Sequence, residues 1–194
     1  MNQPASGPLK RRQRRLGLSA RESLPPEEAA RASSLICRRL LERLRLHPAP
    51  VIFTYVPHGA EADISAFNRE AERQGCAVAY PVCLGGGIMV AAQPLAPDAW
   101  EAGPYGIPSP RLSRSHIVAP EDIRLALVPC AAFDRQCRRV GMGAGYYDRY
   151  LPGCVHAFRA AAAFEVQRVN SAVQEPWDVP LHAVATEARW YGQA

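Results

Sequence analysis

The chain alternates between amphipathic stretches and short apolar runs. Leucine and isoleucine recur at helical spacing across residues 35–44, behind a start at residues 23–28 in which two prolines precede two glutamates. Prolines and acids in a first turn favour a helix, which a proline-rich segment then ends. A second helix is predicted over residues 64–74, with Asp63 as its cap and Gly75 as its stop.

Strands are predicted where an apolar run is short and bounded by proline or glycine. Such runs lie at residues 51–56, 77–84, 88–92, 125–128, 160–164 and 183–186. Three consecutive glycines join the second and third of them as a hairpin. Strands that alternate with helices predict an α/β fold, here a three-layer, Rossmann-like, mostly parallel sheet with helices on both faces. Ligands of such sheets bind beyond the carboxyl ends of the strands.

The remaining segments show little periodicity. Residues 1–9 are expected to be disordered and residues 10–22 to form a basic arm, in which Gly17 interrupts any helix. Residues 94–120 are rich in proline and are expected to form a long loop, a kind of segment that often has a function in a compact domain. A length of 194 residues suits one buried α/β core, so residues 1–194 are expected to form a single domain.

Composition indicates an ordinary globular protein. Hydrophobic residues make up 48% of the chain, and no apolar run approaches the roughly 18–20 residues that cross a bilayer. The arginine-rich start is unlike a secretory signal; it is compatible with an organelle transit peptide, and a cytoplasmic location is the simpler interpretation. Six scattered cysteines without a CxxC pair disfavour a disulfide framework or a zinc site.

Positive charge is concentrated at the amino terminus. Residues 1–50 hold Lys10 and ten arginines against four glutamates, whereas the net charge of the whole chain is only +5. A basic arm on a nearly neutral body suits an anionic partner, such as nucleotide phosphates, a polycarboxylate or a nucleic acid. Nucleic acid is the weaker alternative, because aromatic residues do not interleave with the arginines. A solvated helical face accounts for the charge equally well.

Alternating glycines at residues 141–145, here called the glycine loop, follow the predicted strand at residues 125–128 and a turn at residues 134–137. Backbone N–H groups of such a loop can converge on an anion, to which the start of the next helix adds its positive dipole end. Arg138 and Arg139 supply charge for a polyphosphate. A simple tight turn is the open alternative, since neither GxxxxGK[ST] nor GxGxxG fits the loop.

Residues 128–151 read VPCAAFDRQCRRVGMGAGYYDRYL, which resembles the carboxyl-terminal signature VPxxAFDxxGxRLGxGxGYYDRxL of the 5-formyltetrahydrofolate cyclo-ligase family. Lys10 and Arg14 are similar to that family's amino-terminal KxxxR. Two further segments resemble its YxPxxxEvD and FGIxEP motifs, and residues 175–187 resemble its closing segment. The resemblance spans nearly the whole chain.

Four positions depart from the family pattern. Cys137 and Val140 replace a glycine and a leucine of the signature, while Ser109 and His182 replace acids in the other segments. Acidic contacts that relatives make are therefore expected to be missing at the last two positions.

The resemblance implies an enzyme that cyclises 5-formyltetrahydrofolate to 5,10-methenyltetrahydrofolate while ATP becomes ADP and phosphate. A formamide oxygen is a poor leaving group, so its phosphorylation allows N10 to close the ring. Positioning, Mg²⁺ and cationic donors govern such a transfer, and no protein nucleophile is expected. The implied protein is a monomer that binds small molecules. A relative that binds folate or nucleotide but activates another substrate is the alternative.

The resemblance also implies the site residues. The ATP contacts would be Lys10, Arg14, Arg139, Val140, Gly141, Met142, Gly143, Ala144, Gly145, Tyr146 and Tyr147. The folate contacts would be Val56, Glu61, Met142 and Tyr146, with residues 105–107 closing over the substrate. The Mg²⁺ ligands would be Asp148 and Asp178, since this ion prefers oxygen ligands.

Plain structural interpretations of these residues stay open. Lys10 and Arg14 also suit a solvated helix face, and Glu61 suits a loop that follows a strand. Asp148 suits the first turn of a helix, where the dipole stabilises an acid, and Asp178 suits an ordinary turn.

Overall fold

The computed structural model describes residues 6–193, in which helices and strands alternate much as the apolar pattern predicts. The helices are α1 (Ser6–Glu22), α2 (Pro26–Leu46), α3 (Ser65–Arg73) and α4 (Tyr146–Tyr150). Within these residues no helix combines the length and the apolar character that crossing a membrane requires. The strands are β1 (Val51–Phe53), β2 (Ala77–Gly85), β3 (Ile88–Pro94), β4 (Trp100–Ala102), β5 (Pro108–Pro110), β6 (Ser115–Val118), β7 (Leu125–Val128), β8 (Ala132–Phe133), β9 (Arg139–Val140), β10 (Phe158–Ala162), β11 (Ala183–Ala185) and β12 (Trp190–Gly192).

Eight of the strands form one sheet in the order β12-β11-β10-β7-β1-β2-β3-β6. The five central strands from β11 to β2 are parallel, and the outer strands β12, β3 and β6 pair antiparallel with their neighbours. The parallel strands end together at what we call the carboxyl edge, just before Thr54, Pro129 and Ala163. They begin at the opposite amino edge, where Leu125 and Phe158 lie. The predicted mostly parallel α/β fold is confirmed.

Both faces of the sheet are covered. On one face α2 and α3 pack through Ile36, Leu40 and Phe67 against apolar strand residues. On the other face the covering layer comes from residues 130–157, including α4, whose tyrosines pack beside Phe53. The two-stranded ribbon of β8 and β9 belongs to this layer and leads directly into the glycine loop. The second layer therefore positions the loop at the carboxyl edge.

The amino-terminal segment differs from the prediction. Residues 1–5 lie outside the described residues, but residues 6–9, which were expected to be disordered, begin α1, and the helix runs through Gly17 without interruption. A Cβ at Gly17 would overlap the Ala131 carbonyl oxygen and would lie 3.1 Å from the Ala132 Cβ. Glycine is therefore needed because the helix backbone packs directly on residues 131–132.

The proline-rich segment 94–120 also differs from the loop that was predicted. It contains β4 and β5, which pair as a small antiparallel ribbon, and β6, which extends the main sheet along β3. Pro108 and Pro110 lie in β5, which has only one neighbouring strand. A residue without an N–H is tolerated there, because one side of an edge strand makes no ladder hydrogen bonds.

Candidate active site at the carboxyl edge

The glycine loop presents an open row of backbone donors. Gly143 and Gly145 adopt φ values of 114° and 70°, in the region that favours glycine. Among the described residues, no protein acceptor takes a hydrogen bond from the backbone N–H groups of residues 142–145. Met142 in the same stretch is 49% exposed. Free N–H groups on an exposed, glycine-bearing loop suit an anionic ligand.

Arg149 fixes the position of the glycine loop. Its Nη2 donates to the Ala144 carbonyl oxygen at 2.7 Å, and its Nε donates to the Gly87 carbonyl oxygen at 2.9 Å. The β2–β3 hairpin tip is thereby tied to the loop. The helix that follows, α4, has only five residues, so its dipole adds less to anion binding than the sequence suggested.

Helix α1 brings both predicted basic residues to the loop. The Lys10 ammonium donates to Oδ2 of Asp178, and Arg14 Nε donates to the Gly141 carbonyl oxygen at 2.6 Å. The Arg14 guanidinium also lies so close to Gly143 that a Cβ there would be 3.3 Å from its Cζ. Neither side chain lies on a purely solvated helix face.

Asp148 and Asp178 lie on adjoining segments. Oδ1 of Asp148 accepts hydrogen bonds from Arg139 and from the Val179 N–H, the latter at 3.0 Å, while the Glu175 N–H donates to Oδ2 of Asp178 at 2.6 Å. Among the described residues, the second oxygen of each carboxylate accepts no protein hydrogen bond. No group of three or more metal-ligating side chains occurs in this part of the chain.

Arg139 and Val140 lie beneath the loop. Arg139 is only 2% exposed, and Val140 is fully buried in a small cluster with Ala132 and Ala172. Gln174 donates to the Arg139 carbonyl oxygen at 3.0 Å. The Val140 side chain therefore packs beneath the loop instead of lining it, and the buried Arg139 guanidinium is paired with Asp148.

Glu61 lies in the loop between β1 and α3 and faces Arg21 of α1. Oε1 of Glu61 is 3.7 Å from the Arg21 guanidinium, and Oε2 accepts the His58 N–H at 3.1 Å. Burial raises the pKa of Glu61, although the His58 hydrogen bond and the Arg21 charge oppose this effect. Arg21 Nε is buried and makes no hydrogen bond among the described residues. The Nε–H of Arg21 is therefore a donor that a bound ligand can satisfy.

A cavity of about 310 Å³ opens beside Val56. It lies between α3, β2 and the ribbon of β4 and β5. Its lining residues are Val56, Pro57, Ser65, Asn68, Arg69, Glu72, Tyr80, Trp100 and Pro108. Tyr80 and Trp100 meet edge to face with their ring centroids 5.0 Å apart. This aromatic wall suits a planar ligand.

Tyr105 lies in the segment that was expected to close over the substrate. It is 89% exposed and adopts φ of 61°.

A sequence profile described as the 5-formyltetrahydrofolate cyclo-ligase family matches residues 7–187. The chain belongs to this family. A relative from Haemophilus influenzae named 5-formyltetrahydrofolate cyclo-ligase is 33% identical over 79 residues, which is 40% of this chain and 42% of that protein. An Escherichia coli protein of the same name is 25% identical over 175 residues, 87% of this chain and 95% of its own length.

A solved structure, the NMR structure of Aquifex aeolicus 5,10-methenyltetrahydrofolate synthetase, superposes with a TM-score of 0.83. It is 26% identical to this cyclo-ligase-family chain and covers 95% of this chain and 92% of its own. These relatives confirm the predicted family, fold and ligase class. Which residues of the chain contact each substrate stays a prediction.

Several residues of the edge were missed by sequence reasoning. Gln13 accepts the Val173 N–H at 2.9 Å and donates to the Ser171 carbonyl oxygen at 2.6 Å, so it docks α1. Arg21 and Arg149 were present in the sequence without a role. A continuous helix through Gly17 would have placed Lys10, Arg14 and Arg21 on one helical face, which is the signal that was available.

The departures from the family pattern lie in different places. Cys137 adopts φ of 60°, the left-handed region that the family's glycine occupies without strain. Ser109 lies in β5, opposite Glu101 of β4. His182 directly precedes β11 at the amino edge, which is the edge of the sheet opposite the glycine loop.

Proposed function

We propose that this protein cyclises 5-formyltetrahydrofolate to 5,10-methenyltetrahydrofolate and converts ATP to ADP and phosphate. Family membership supports the reaction, and the open row of N–H donors at residues 142–145 carries the assignment of the nucleotide site. Lys10 and Arg14 lie beside these donors, and two carboxylates lie close by. Donors, cations and acids together suit a bound polyphosphate.

The chemistry requires activation of the formyl group. The formamide oxygen attacks the γ-phosphorus of ATP, ADP leaves, and the carbon becomes electrophilic. N10 of the folate then bonds to that carbon, the carbon–oxygen bond breaks, and phosphate leaves with the former formyl oxygen while N10 loses its proton. Holding N10 against the carbon supplies much of the acceleration, because the closure is intramolecular.

The chain's own groups have distinct roles toward ATP. The loop N–H groups of residues 142–145 bind phosphate oxygens, and Arg14 holds the loop while its terminal nitrogens face the same space. Lys10 neutralises charge between Asp178 and the phosphates. Arg139 and Val140 support the loop from below, and Tyr146 and Tyr147 form its wall.

Asp148 and Asp178 would hold Mg²⁺, each through the oxygen that makes no protein hydrogen bond. The residues fit this ion, because Mg²⁺ usually takes one or two carboxylates and completes its shell with phosphates and waters. Over residues 6–193 no third ligating side chain forms a group with these two acids, which is consistent with that coordination. When bound, the ion supplies positive charge for the transferring phosphoryl group. Arg139 and Lys10 hold the two carboxylates in place.

Folate is assigned to the cavity beside Val56 and to Glu61. The Glu61 carboxylate can accept N–H groups of a pterin ring, and Arg21 orients it. Met142 and Tyr146 of the glycine loop side would separate folate from nucleotide. In this proposal the formyl group would lie between the nucleotide site and the folate site.

The methenyl chromophore tests the proposal directly. Purified protein with 5-formyltetrahydrofolate, ATP and Mg²⁺ should develop its absorbance, and omission of ATP should prevent this. Absence of product under every nucleotide and metal condition would sink the proposal. If ATP is consumed without the chromophore, the chain activates a different substrate, which product analysis identifies. A monomeric, cytoplasmic enzyme without nucleic-acid partners remains our expectation.

A further inference from the structure

A group of basic and aromatic side chains lies near the amino edge, remote from the glycine loop. We call it the amino-edge cluster and define it as Arg43, Phe158, Arg159, His182 and Trp190. Arg43 lies in the last turn of α2, Phe158 and Arg159 begin β10, and His182 directly precedes β11. Neither the proposed reaction nor the candidate active site uses any of these residues.

The hydrogen bonds of His182 fix its tautomer. Its Nδ1 accepts the Arg159 backbone N–H at 3.0 Å, so Nδ1 carries no proton. A neutral ring then carries its proton on Nε2, and burial together with the charges of Arg159 and Arg43 lowers the pKa of His182 and favours the neutral form. Nε2 lies 3.1 Å from Nη2 of Arg159. Two donors therefore face each other, and an acceptor shared by both would satisfy them.

The arginines of the cluster have further unsatisfied donors. The Arg43 guanidinium stacks on the Phe158 ring with its Cζ 3.8 Å from the ring centroid, and Trp190 stacks parallel to the same ring. The Nε atoms of Arg43 and Arg159 are buried and make no hydrogen bond among the described residues. Over residues 6–193, no carboxylate oxygen lies within 4.0 Å of a nitrogen of Arg43, Arg159 or His182.

We propose that the amino-edge cluster binds a small oxyanion of the phosphate or carboxylate class. One oxygen accepts from the His182 Nε2–H and from Nη2 of Arg159, which removes the donor–donor contact. Arg43, held rigidly on Phe158, supplies the second positive charge. The negative dipole end of α2 stabilises the charge of Arg43. Arg159 and His182 lie at the starts of strands, and a strand has no comparable dipole to balance their donors. The ligand is therefore the missing counter-charge of this edge.

Inorganic phosphate tests the proposal, with chloride at equal ionic strength as the reference. The full chain carries isotope-labelled histidine and tryptophan, and NMR follows the His182 ring and the Trp190 indole N–H. We expect saturable shifts at both, while His116, which lies in β6 at the other end of the sheet, stays unchanged. Phosphate bound only at the glycine loop would leave His182 and Trp190 unmoved, and that result would overturn the proposal.

Two variants sharpen the test. Arg159→Gln removes a charged donor and should weaken phosphate binding about tenfold or more, read at the Trp190 indole. His182→Asp places a carboxylate beside Arg159, so it should abolish the phosphate response and raise thermal stability in phosphate-free buffer. Arg12→Gln, an exposed residue of α1, is the control and should bind as the wild type does. Wild-type affinity in both variants of the cluster would contradict the proposal.

Discussion

Both terminal nitrogens of the Arg139 guanidinium donate hydrogen bonds to the same oxygen of Asp148, Oδ1, at 2.9 Å each. The same oxygen accepts the Val179 N–H, so Asp148 joins α4 to the segment that carries Asp178. The relative position of the two acids is thus fixed by protein contacts before any ligand arrives. Preorganised charge of this kind is what phosphoryl transfer uses most.

Asp148→Asn should abolish turnover while the protein stays folded. The amide can still accept from Arg139, but it lacks the charge that Mg²⁺ requires, so kcat should fall about 100-fold or more. Circular dichroism should show a native spectrum at the assay temperature. Asp98→Asn, which alters an exposed ion pair with Arg114, is the matched control and should keep wild-type activity. Full activity in the Asp148 variant would remove its metal role.

Lys10→Gln should raise the KM for ATP about tenfold and leave the KM for the folate nearly unchanged. The amide keeps a hydrogen bond to Asp178, but it no longer neutralises the phosphates. Initial rates at varied ATP and fixed folate give the measurement, with Arg12→Gln as the control on the same helix. An unchanged KM for ATP would show that Lys10 only pairs with Asp178 and does not contact the phosphates.

Gly17→Ala should destabilise the protein by about 1–3 kcal/mol, because the new Cβ overlaps the Ala131 carbonyl oxygen. In an unconstrained helix interior the same exchange stabilises by about 1 kcal/mol, so the sign itself is diagnostic. Gly141→Ala is the matched control, since a Cβ there meets nothing within 4 Å. Denaturant unfolding measures both variants, and a stabilised Gly17 variant would refute the close contact.

Cys137→Gly should be more stable than Cys137→Ala by about 1 kcal/mol. Both variants lose the buried thiol, but only glycine adopts φ of 60° without strain. Comparison of the two variants isolates the backbone effect, because the lost side-chain packing is nearly the same. Equal unfolding free energies would show that the Cys137 backbone is unstrained.

Glu61→Gln should weaken folate binding more than ATP binding, and its stability relative to the wild type should depend on pH. Burial raises the pKa of Glu61 in the folded protein, so the folded state holds its proton more tightly than the unfolded state. The ionised carboxylate therefore costs stability near neutral pH, and this cost declines as the pH falls toward 4.5. The melting temperature of the variant minus that of the wild type should shrink over that range; a constant difference would contradict the burial effect.

Strong local patterns explain which parts of the fold could be predicted. Helix α2 shows apolar residues at helical spacing, and the β2–β3 hairpin has three glycines at its turn. These local signals were enough to predict both elements. Asp63, which was predicted as the cap, lies one residue before the N-cap Ile64, and its Oδ1 accepts the Ser65 N–H at 2.9 Å. Each of these features depends on residues that are close together along the chain.

The misjudged parts depend on distant contacts. Gly17 was predicted to interrupt the helix. A glycine is needed there because the helix backbone packs against the carbonyl of Ala131, which is distant in the sequence. Pro108 read as a loop residue because its antiparallel partner Ala102 is set by tertiary pairing. The burial of the Val140 side chain also depends on residues distant in the chain, and its contact with ATP stays a prediction. Motif spacing located the candidate site, but only packing shows which of its residues can reach a ligand.

The fate of the formyl oxygen tests the central claim most directly. The substrate would carry ¹⁸O in its formyl group, and the phosphate released in unlabelled water would be analysed by mass spectrometry. Phosphoryl activation predicts one ¹⁸O atom in each phosphate and one phosphate for each methenyl product. Unlabelled phosphate with the ¹⁸O recovered in water would contradict it.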